Sequence, residues 1–283
     1  MNTLGDTVYR TKWRQASLAT ALRNGLVLEK ICQVDRSANK TIKSPYGSQP
    51  TTVVQALAGT YTPAAYTITD DTLTVAYEFI VSEHIFDFEE TLSNFDLFSS
   101  RQDEMNYSVL AKIDQYGLNV MLADGTGTYT TPVGGFTTAS NANAIIAGLS
   151  GSVMGYADSY NGLYLVLENT DITGILQAQM SNGFSFADSA LRNGFMTNYG
   201  GIEIYVVRSG TFTNTDIGDF TAQNSGHRLF GVKNTCTFAE PQGIKFEEKS
   251  VSGKTGKELV CYGYVAVKVW APKAALTVDI TLA

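Results

Sequence analysis

The sequence is poor in the residue types from which most catalytic and metal sites are built. It has two histidines and three cysteines among 283 residues. The cysteines, at positions 32, 236 and 261, do not form the closely spaced pairs that are typical of metal or redox sites. Since three thiols cannot all pair within one chain, we expect them to be buried and reduced.

Charged residues and long hydrophobic runs are scarce as well. Charged residues make up 17% of the chain, against about a quarter in ordinary domains. This favours a folded protein whose surface is largely uncharged or is covered by other subunits. No stretch reaches the ~18 apolar residues needed to cross a bilayer, and the N-terminus, MNTLGDTVYRTKWRQ, lacks the apolar core of a signal peptide. We therefore expect neither a membrane span nor secretion by that route.

Recognisable catalytic motifs are also missing. The sequence has no GxSxG, HExxH or GxxxxGK[ST] pattern. His84 has Glu83 and Asp87 as neighbours, but one histidine makes a poor zinc site, so we interpret it as a residue at a strand-to-helix junction. The GTGTY run at 125–129 lacks the lysine of a phosphate-binding loop and is interpreted as a hinge. No catalytic, cofactor-binding or metal-binding residue is predicted.

The charges are unevenly distributed along the chain. Residues 1–43 carry eight basic and three acidic residues, a net +5, whereas the remainder carries 12 basic and 24 acidic residues, a net −12. An acidic body does not suit nucleic-acid binding, because phosphates bind to basic patches. We expect Arg10 and Arg14 of the basic segment to contact a neighbouring acidic body, to touch nucleic acid weakly, or to be solvated.

The first half of the chain has one clear strand and one very long helix. Residues 33–72 are rich in Thr, Ser, Gly and Pro, which favours an extended loop that packs outside its own core. Alternating apolar residues predict a strand over 72–82. Apolar spacing predicts a helix over 89–122, about 50 Å long, which we call the spine helix. Glu89 and Glu90 suit the positive N-terminal end of that helix.

The second half alternates between helices and strands. The composition of residues 123–141 is that of a linker, which marks a boundary. The elements beyond it predict an α/β module over 142–232. They are a helix at 142–157, a buried strand at 162–169, a helix from 171 and a strand at 201–210. The strands predicted near the end of the chain lie at 227–234, 244–251, 257–272 and 276–283.

This order of elements resembles the Hong Kong 97-type major capsid fold of tailed bacteriophages, which is an α+β fold. The segments that carry the resemblance are TLTVAYEFIVSEHIFDFEE before the spine helix, GLYLVLENTDITGILQAQM, YGGIEIYVVRSG and YGYVAVKVWAPKAALTVDI. The resemblance implies an N-terminal arm at 1–32, an extended loop at 33–72, a peripheral domain at 73–140 and 233–283, and an axial domain at 142–232.

The resemblance also implies the function, which is that of a structural protein and not of an enzyme. The chain would assemble as hexamers and pentamers into an icosahedral virion shell around double-stranded DNA, in the host cytoplasm, without cofactors, membrane association or sequence-specific DNA binding. Portal and cement proteins are candidate partners. Since only residues 1–32 precede the extended loop, any scaffold would be a separate protein. The expected contacts between subunits involve Arg10, Arg14, Tyr61, Pro63, Glu89 and Glu90.

Three other interpretations stay open at the level of sequence. An encapsulin-like nanocompartment has the same fold and would give the same patterns. A carbohydrate-binding module of a phage tail or cell surface fits the abundance of Thr, Gly and Tyr, but not the spine helix. An enzyme without a recognisable motif would need a pocket where acids or His84 converge.

Overall fold

The computed structural model describes residues 26–37, 39–47, 67–86, 97–154, 162–181, 195–212, 226–250, 253 and 255–283. The helices among them are α1 (Leu28–Ile31), α2 (Leu97–Asp124), α3 (Ala139–Met154) and α4 (Ile172–Ser181). The strands are β1 (Gln33–Asp35), β2 (Thr41–Gly47), β3 (Ile68–Thr74), β4 (Tyr77–Ile85), β5 (Gly127–Thr130), β6 (Leu163–Glu168), β7 (Phe195–Tyr199), β8 (Ile202–Val207), β9 (His227–Val232), β10 (Cys236–Ser250), β11 (Lys257–Val269) and β12 (Thr277–Thr281). Short 3-10 helices cover Gly135–Thr137, Asn169–Asp171 and Ala271–Leu276. The predicted α+β class is confirmed.

The described strands form two larger sheets and one hairpin. The larger sheet has the order β5-β12-β9-β6-β8-β7, in which β12 pairs with β5, and β6 with β8, in parallel. The second sheet has the order β1-β10-β11-β4, with β1 parallel to β10 and the other pairs antiparallel. The hairpin joins β2 to β3. Both larger sheets are therefore mixed.

Strand β6 is buried along its whole length and takes part in two hydrophobic cores. Leu163, Leu165 and Leu167 face the core formed with α3 and α4. Tyr164 and Val166 face the opposite core, which contains the spine helix and the inner face of the four-stranded sheet. Strands with both faces buried are continuously apolar, which is why LYLVL shows no alternation. The two cores consequently share one strand.

The predicted spine helix is confirmed as α2, whose described part runs from Leu97 to Asp124. The predicted apolar stripe is buried at every position whose side chain is described: Met105, Val109, Ile113, Tyr116 and Val120. Gly117 lies in the same helix, where an added Cβ would collide with the side chain of Leu28. The missing side chain thus lets α1 pack directly against the spine helix.

Several predicted elements differ from the observed ones because pairing with distant strands overrides local pattern. The single strand expected over 72–82 is interrupted at Val75–Ala76, where the chain passes from the hairpin into the four-stranded sheet. At this crossing the Val75 amide donates to the Lys40 carbonyl over 2.9 Å. The hinge expected at 125–129 instead contains the start of β5, which pairs with β12. The strand expected at 244–251 belongs to the longer β10.

The two larger sheets do not follow the predicted domain boundaries at two places, and the division into domains stays a prediction. Strands β5 and β12 were expected in the peripheral domain, but they belong to the six-stranded sheet, because β12 pairs with both β9 and β5. Strand β1 was expected in the extended loop, but it pairs with β10 in the four-stranded sheet.

Gly174 and Gly151 are helical glycines in opposite surroundings, and they provide a matched test of packing. A Cβ at Gly174 would overlap the backbone carbonyl of Phe136, whereas nothing lies within 4 Å of a Cβ at Gly151. We expect Gly174→Ala to lower the free energy of unfolding by about 2 kcal/mol or more, since backbone must move. Gly151→Ala should raise it by up to about 1 kcal/mol. Urea unfolding of the two variants checks this; equal effects would contradict the packing of α4 on the Gly135–Thr137 turn.

Candidate assembly surfaces

Within the described ranges, the β2–β3 hairpin is a sheet of its own, separate from the two larger sheets. Its register pairs Thr41 with Thr74 at one end and Gly47 with Ile68 at the other, a span of about 20 Å. Ile68 is 63% exposed at the far end. An isolated two-stranded hairpin is marginally stable in water. An apolar side chain is therefore left exposed at the far end of this hairpin.

The near end of the hairpin is fixed to the four-stranded sheet by polar contacts. Asp71 forms an ion pair with Lys268, and it accepts a hydrogen bond from the Ala271 amide over 3.1 Å. Lys268 also donates to the Thr72 carbonyl over 2.8 Å. Burial tends to raise the pKa of Asp71, but the Lys268 and Ala271 donors outweigh it, and the pKa lies below its ordinary value. The carboxylate is thus held in its charged form.

Apolar contacts add to this attachment. Leu73 is buried in a small cluster with Ala239, Ala266 and Trp270, on the face of the sheet opposite the main core. The Trp270 indole donates to Thr237 Oγ1 over 2.8 Å, so its polar edge is satisfied. The hairpin therefore has a firmly bound base and an exposed end.

A buried ionic cluster, the Arg228 network, lies at the carboxyl end of β6. Arg228 forms ion pairs with Asp171 and with Glu168, the latter at 3.3 Å between Nη2 and Oε2. The Arg228 and Glu168 side chains are only 4% and 6% exposed. The other Glu168 oxygen accepts hydrogen bonds from the amides of Gly210 and Phe212, over 3.0 and 3.2 Å. The network joins β6 and β9 to the loop at 208–212.

The same loop is held from its other side by the spine helix. The Gln115 side chain donates to the Gly210 carbonyl over 3.2 Å, and the Asn119 side chain donates to the Thr211 carbonyl over 2.9 Å. The loop is thus bound by both the spine helix and the six-stranded sheet.

The spine helix also fixes the segment that enters β1. The Asp114 carboxylate accepts hydrogen bonds from the backbone amide of Val27 over 3.0 Å and from that of Leu28 over 3.2 Å. These amides begin the one-turn helix α1, whose first N–H groups have no partner within the helix. Asp114 therefore replaces a local helix cap with one from a distant element.

A cleft of about 910 Å³ lies between β4, the spine helix and the residues at 207–211. Its two acids already have structural partners, because Asp114 caps α1 and Glu78 accepts from the Tyr264 hydroxyl. His84 is not among the residues that line it; its ring stacks on Phe86 near the end of β4, with centroids 4.5 Å apart. Within the described ranges, no group of histidine, cysteine and acidic residues could hold a metal ion. The cleft offers no converging set of free acids.

Of the helices that the structure describes, none is long and apolar enough to cross a membrane. All six residues predicted to contact other subunits lie outside the described ranges: Arg10, Arg14, Tyr61, Pro63, Glu89 and Glu90. They stay predictions. The structure instead reveals Asp114, Glu168 and Arg228, which sequence reasoning missed. The feature of the sequence that could have revealed them is a charged residue next to a run of apolar residues. Glu168, at the end of LYLVLE, is an example.

Comparison with known proteins identifies the fold. No protein-family profile matches the sequence, and no curated protein matches it either. Among solved structures, the capsid of the cyanophage P-SCSP1u matches with a TM-score of 0.70 and 14% identity, covering 92% of this chain and 89% of that one. The chain has a phage capsid-protein fold. The predicted resemblance to phage major capsid proteins is thereby confirmed at the level of the fold.

Two further structures with this capsid fold match over nearly their whole length. The capsid of a native GTA particle matches with a TM-score of 0.64 and 13% identity, covering 93% of each chain. A virus-like particle from Pyrococcus furiosus matches with a TM-score of 0.62 and 9% identity, covering 96% of this chain and 99% of that one. The capsid fold thus persists although very few residues are identical.

Removal of the cation from the Arg228 network should lower the free energy of unfolding substantially. Arg228→Met should lower the free energy of unfolding by about 3–5 kcal/mol, because two carboxylates would stay buried without their partner. The matched control is Lys249→Met, which removes a cation whose side chain is 54% exposed and lies 3.3 Å from Glu247. That change should cost less than about 1 kcal/mol. Urea unfolding of the purified variants measures both changes. Similar losses of unfolding free energy would show that burial does not strengthen the Arg228 network.

Proposed function

We propose that this chain is the repeating subunit of a closed protein shell, the major capsid protein of a phage-like particle. The observation that carries the proposal is the fold match to the cyanophage capsid over 92% of this chain and 89% of the other. Nearly all of the chain is thus accounted for by capsid-protein architecture. The subunit acts as a building block and performs no chemical step.

The described structure supports this proposal in two ways. The body is rigid, because two cores share β6 and the Arg228 network fixes the loop at 208–212. The hairpin has a bound base and an exposed end, as a projection onto a neighbouring subunit requires. A rigid body with one projecting element suits a repeated, identical contact. Such contacts form closed symmetric assemblies.

The partners follow from the proposal. The chain binds copies of itself, as hexamers and pentamers, and encloses DNA without reading its sequence. The net charge of −7 agrees with an enclosure that does not adhere to packaged phosphates. A separate scaffold, a portal and cement proteins are proposed partners. The virion is the proposed final location, after assembly in the host cytoplasm.

A second candidate is a compartment that encloses protein cargo, as an encapsulin-like shell does. The match to the virus-like particle from Pyrococcus furiosus, over 99% of that chain, agrees with either candidate, because its name specifies a particle and not the contents. The subunit would have the same fold in both candidates. The two particles would differ in what they enclose. Nuclease-protected DNA in particles purified from cells would support the phage capsid, and a stoichiometric protein cargo would support the compartment.

The shell itself is tested by negative-stain electron microscopy and sedimentation of the purified chain. We expect closed particles, or rings of five or six subunits. The same measurement is made after co-expression with the products of neighbouring genes, which would supply a separate scaffold. A chain that stays monomeric under both conditions would overturn the proposal.

Removal of residues 50–66 should abolish assembly and leave a folded subunit. Assembly is lost because the deleted segment, which contains Tyr61 and Pro63, is proposed to contact a second subunit. The fold survives because Gly47 and Ile68 are paired, so the deletion leaves a three-residue connection of Ser48, Gln49 and Thr67. Hairpins accommodate loops of that length.

Sedimentation reports assembly, and the melting curve followed by circular dichroism serves as the folding control. A milder variant, with Tyr61→Ala and Pro63→Ala, keeps the length of the loop while removing two proposed contacts. The deletion variant should melt as cooperatively as the parent subunit. Closed shells formed by the deletion variant would refute the assigned role of this segment.

A further inference from the structure

Cys32 and Cys236 lie in direct contact inside the protein. Their sulfur atoms are 2.7 Å apart, and the two residues are 4% and 0% exposed. Cys32 immediately precedes β1, and Cys236 is the first residue of β10. The two cysteines are far apart in the sequence, separated by 204 positions. The fold alone brings them together.

The strand register explains this contact. The parallel strands β1 and β10 pair Gln33 with Thr237. Cys32 and Cys236 are the residues just before this pair, so they lie side by side, as one row, on the two neighbouring chains. The Asn234 amide donates to the Ile31 carbonyl over 2.9 Å, so the two chains stay together past this row. Side chains of one row point to the same face of a sheet, and neighbouring strands are about 4.8 Å apart. That spacing lies within the Cα separation of about 4.4–6.8 Å that disulfides require.

We propose that Cys32 and Cys236 are a cross-linking site, and that they form an intrachain disulfide with a small-molecule disulfide as the oxidant. The sulfurs need to approach by roughly 0.7 Å to reach bonding distance. This inference concerns the covalent state of the subunit. It does not depend on the proposed shell function.

The reaction proceeds by two thiol–disulfide exchanges. The thiolate of one cysteine attacks the oxidant disulfide, which forms a mixed disulfide and releases one small thiolate that takes up a proton. The second cysteine loses its proton and attacks the protein sulfur of the mixed disulfide, which releases the second small thiol. The net change is two protein thiols oxidised to one disulfide and one small-molecule disulfide reduced to two thiols.

Burial determines the rate of this reaction. Burial, together with the adjacent Cys236, raises the pKa of Cys32 well above its ordinary value, so little thiolate is present at neutral pH. The oxidant also needs access, which local opening of the three-residue edge strand β1 provides. Oxidation of the folded chain should therefore be slow, and both higher pH and mild denaturant should accelerate it. In a reducing compartment the pair stays as thiols.

Cys261 is an internal control for this pairing. It is buried like the other two cysteines. It lies on β11 eight residues before Val269, the residue paired with Cys236, a distance of about 27 Å along the strand. No disulfide can bridge that distance without unfolding.

The test uses the full-length chain, incubated with oxidised glutathione at pH 8 in a low concentration of urea. Thiols are counted afterwards by alkylation under denaturing conditions. The wild type should fall from three free thiols to one, and Cys261→Ala from two to none. Cys32→Ser should retain two. Peptide mapping without reductant should show one cross-linked pair, the peptides that contain Cys32 and Cys236.

The oxidised wild type and the oxidised Cys261→Ala variant should melt at higher temperature, on the order of 10 °C, because the bond closes a very long loop in the unfolded chain. Dithiothreitol should reverse the shift. Three thiols that stay free, a cross-link that includes Cys261, or stable glutathione adducts on both cysteines would overturn the proposal. If Cys32→Ser fails to fold, the thiol count of Cys261→Ala and the peptide map still decide the question.

Discussion

The burial of β6 on both faces is the constraint on which the rest of the structure depends. Each face of this strand needs its own apolar layer, and the chain provides α3 and α4 on one side and the spine helix on the other. Its backbone groups are satisfied by β8 along one edge and β9 along the other. The strand ends in Glu168, a carboxylate that cannot stay buried without a cation and donors. Arg228 and the amides at 210 and 212 meet that requirement.

The spine helix extends this rigidity to the rest of the chain. Its apolar stripe fills the core between the sheets, while three of its polar residues form long-range contacts. Asp114 caps α1, and Gln115 and Asn119 hold the loop at 208–212. Gly117 lets Leu28 approach closely. One element thus holds both the start of α1 and the 208–212 loop in position.

The sequence predicts the parts of this fold that depend on local periodicity. The stripe from Met105 to Val120 identifies the spine helix, and the run LYLVL identifies a doubly buried strand. It does not predict which sheet β5, β12 and β1 join, because those pairings link residues far apart in the chain. The Arg228 network is hidden for the same reason, since Glu168 and Arg228 are 60 positions apart. The predicted subunit contacts lie outside the described ranges and stay predictions.

In the proposed shell, weak individual contacts suffice. The hairpin offers only a few exposed groups for such a contact, namely Ile68 at its far end and the charged Lys43 and Asp70, whereas Asp71 is already paired with Lys268. Once several contacts hold a subunit, each further contact forms within the same assembly and loses little additional freedom, so modest affinities add up around a closed particle. Weak contacts also let misplaced subunits dissociate before closure. The stability of such a shell then depends less on any single interface than on the rigidity with which β6, the spine helix and the Arg228 network hold each interface in position.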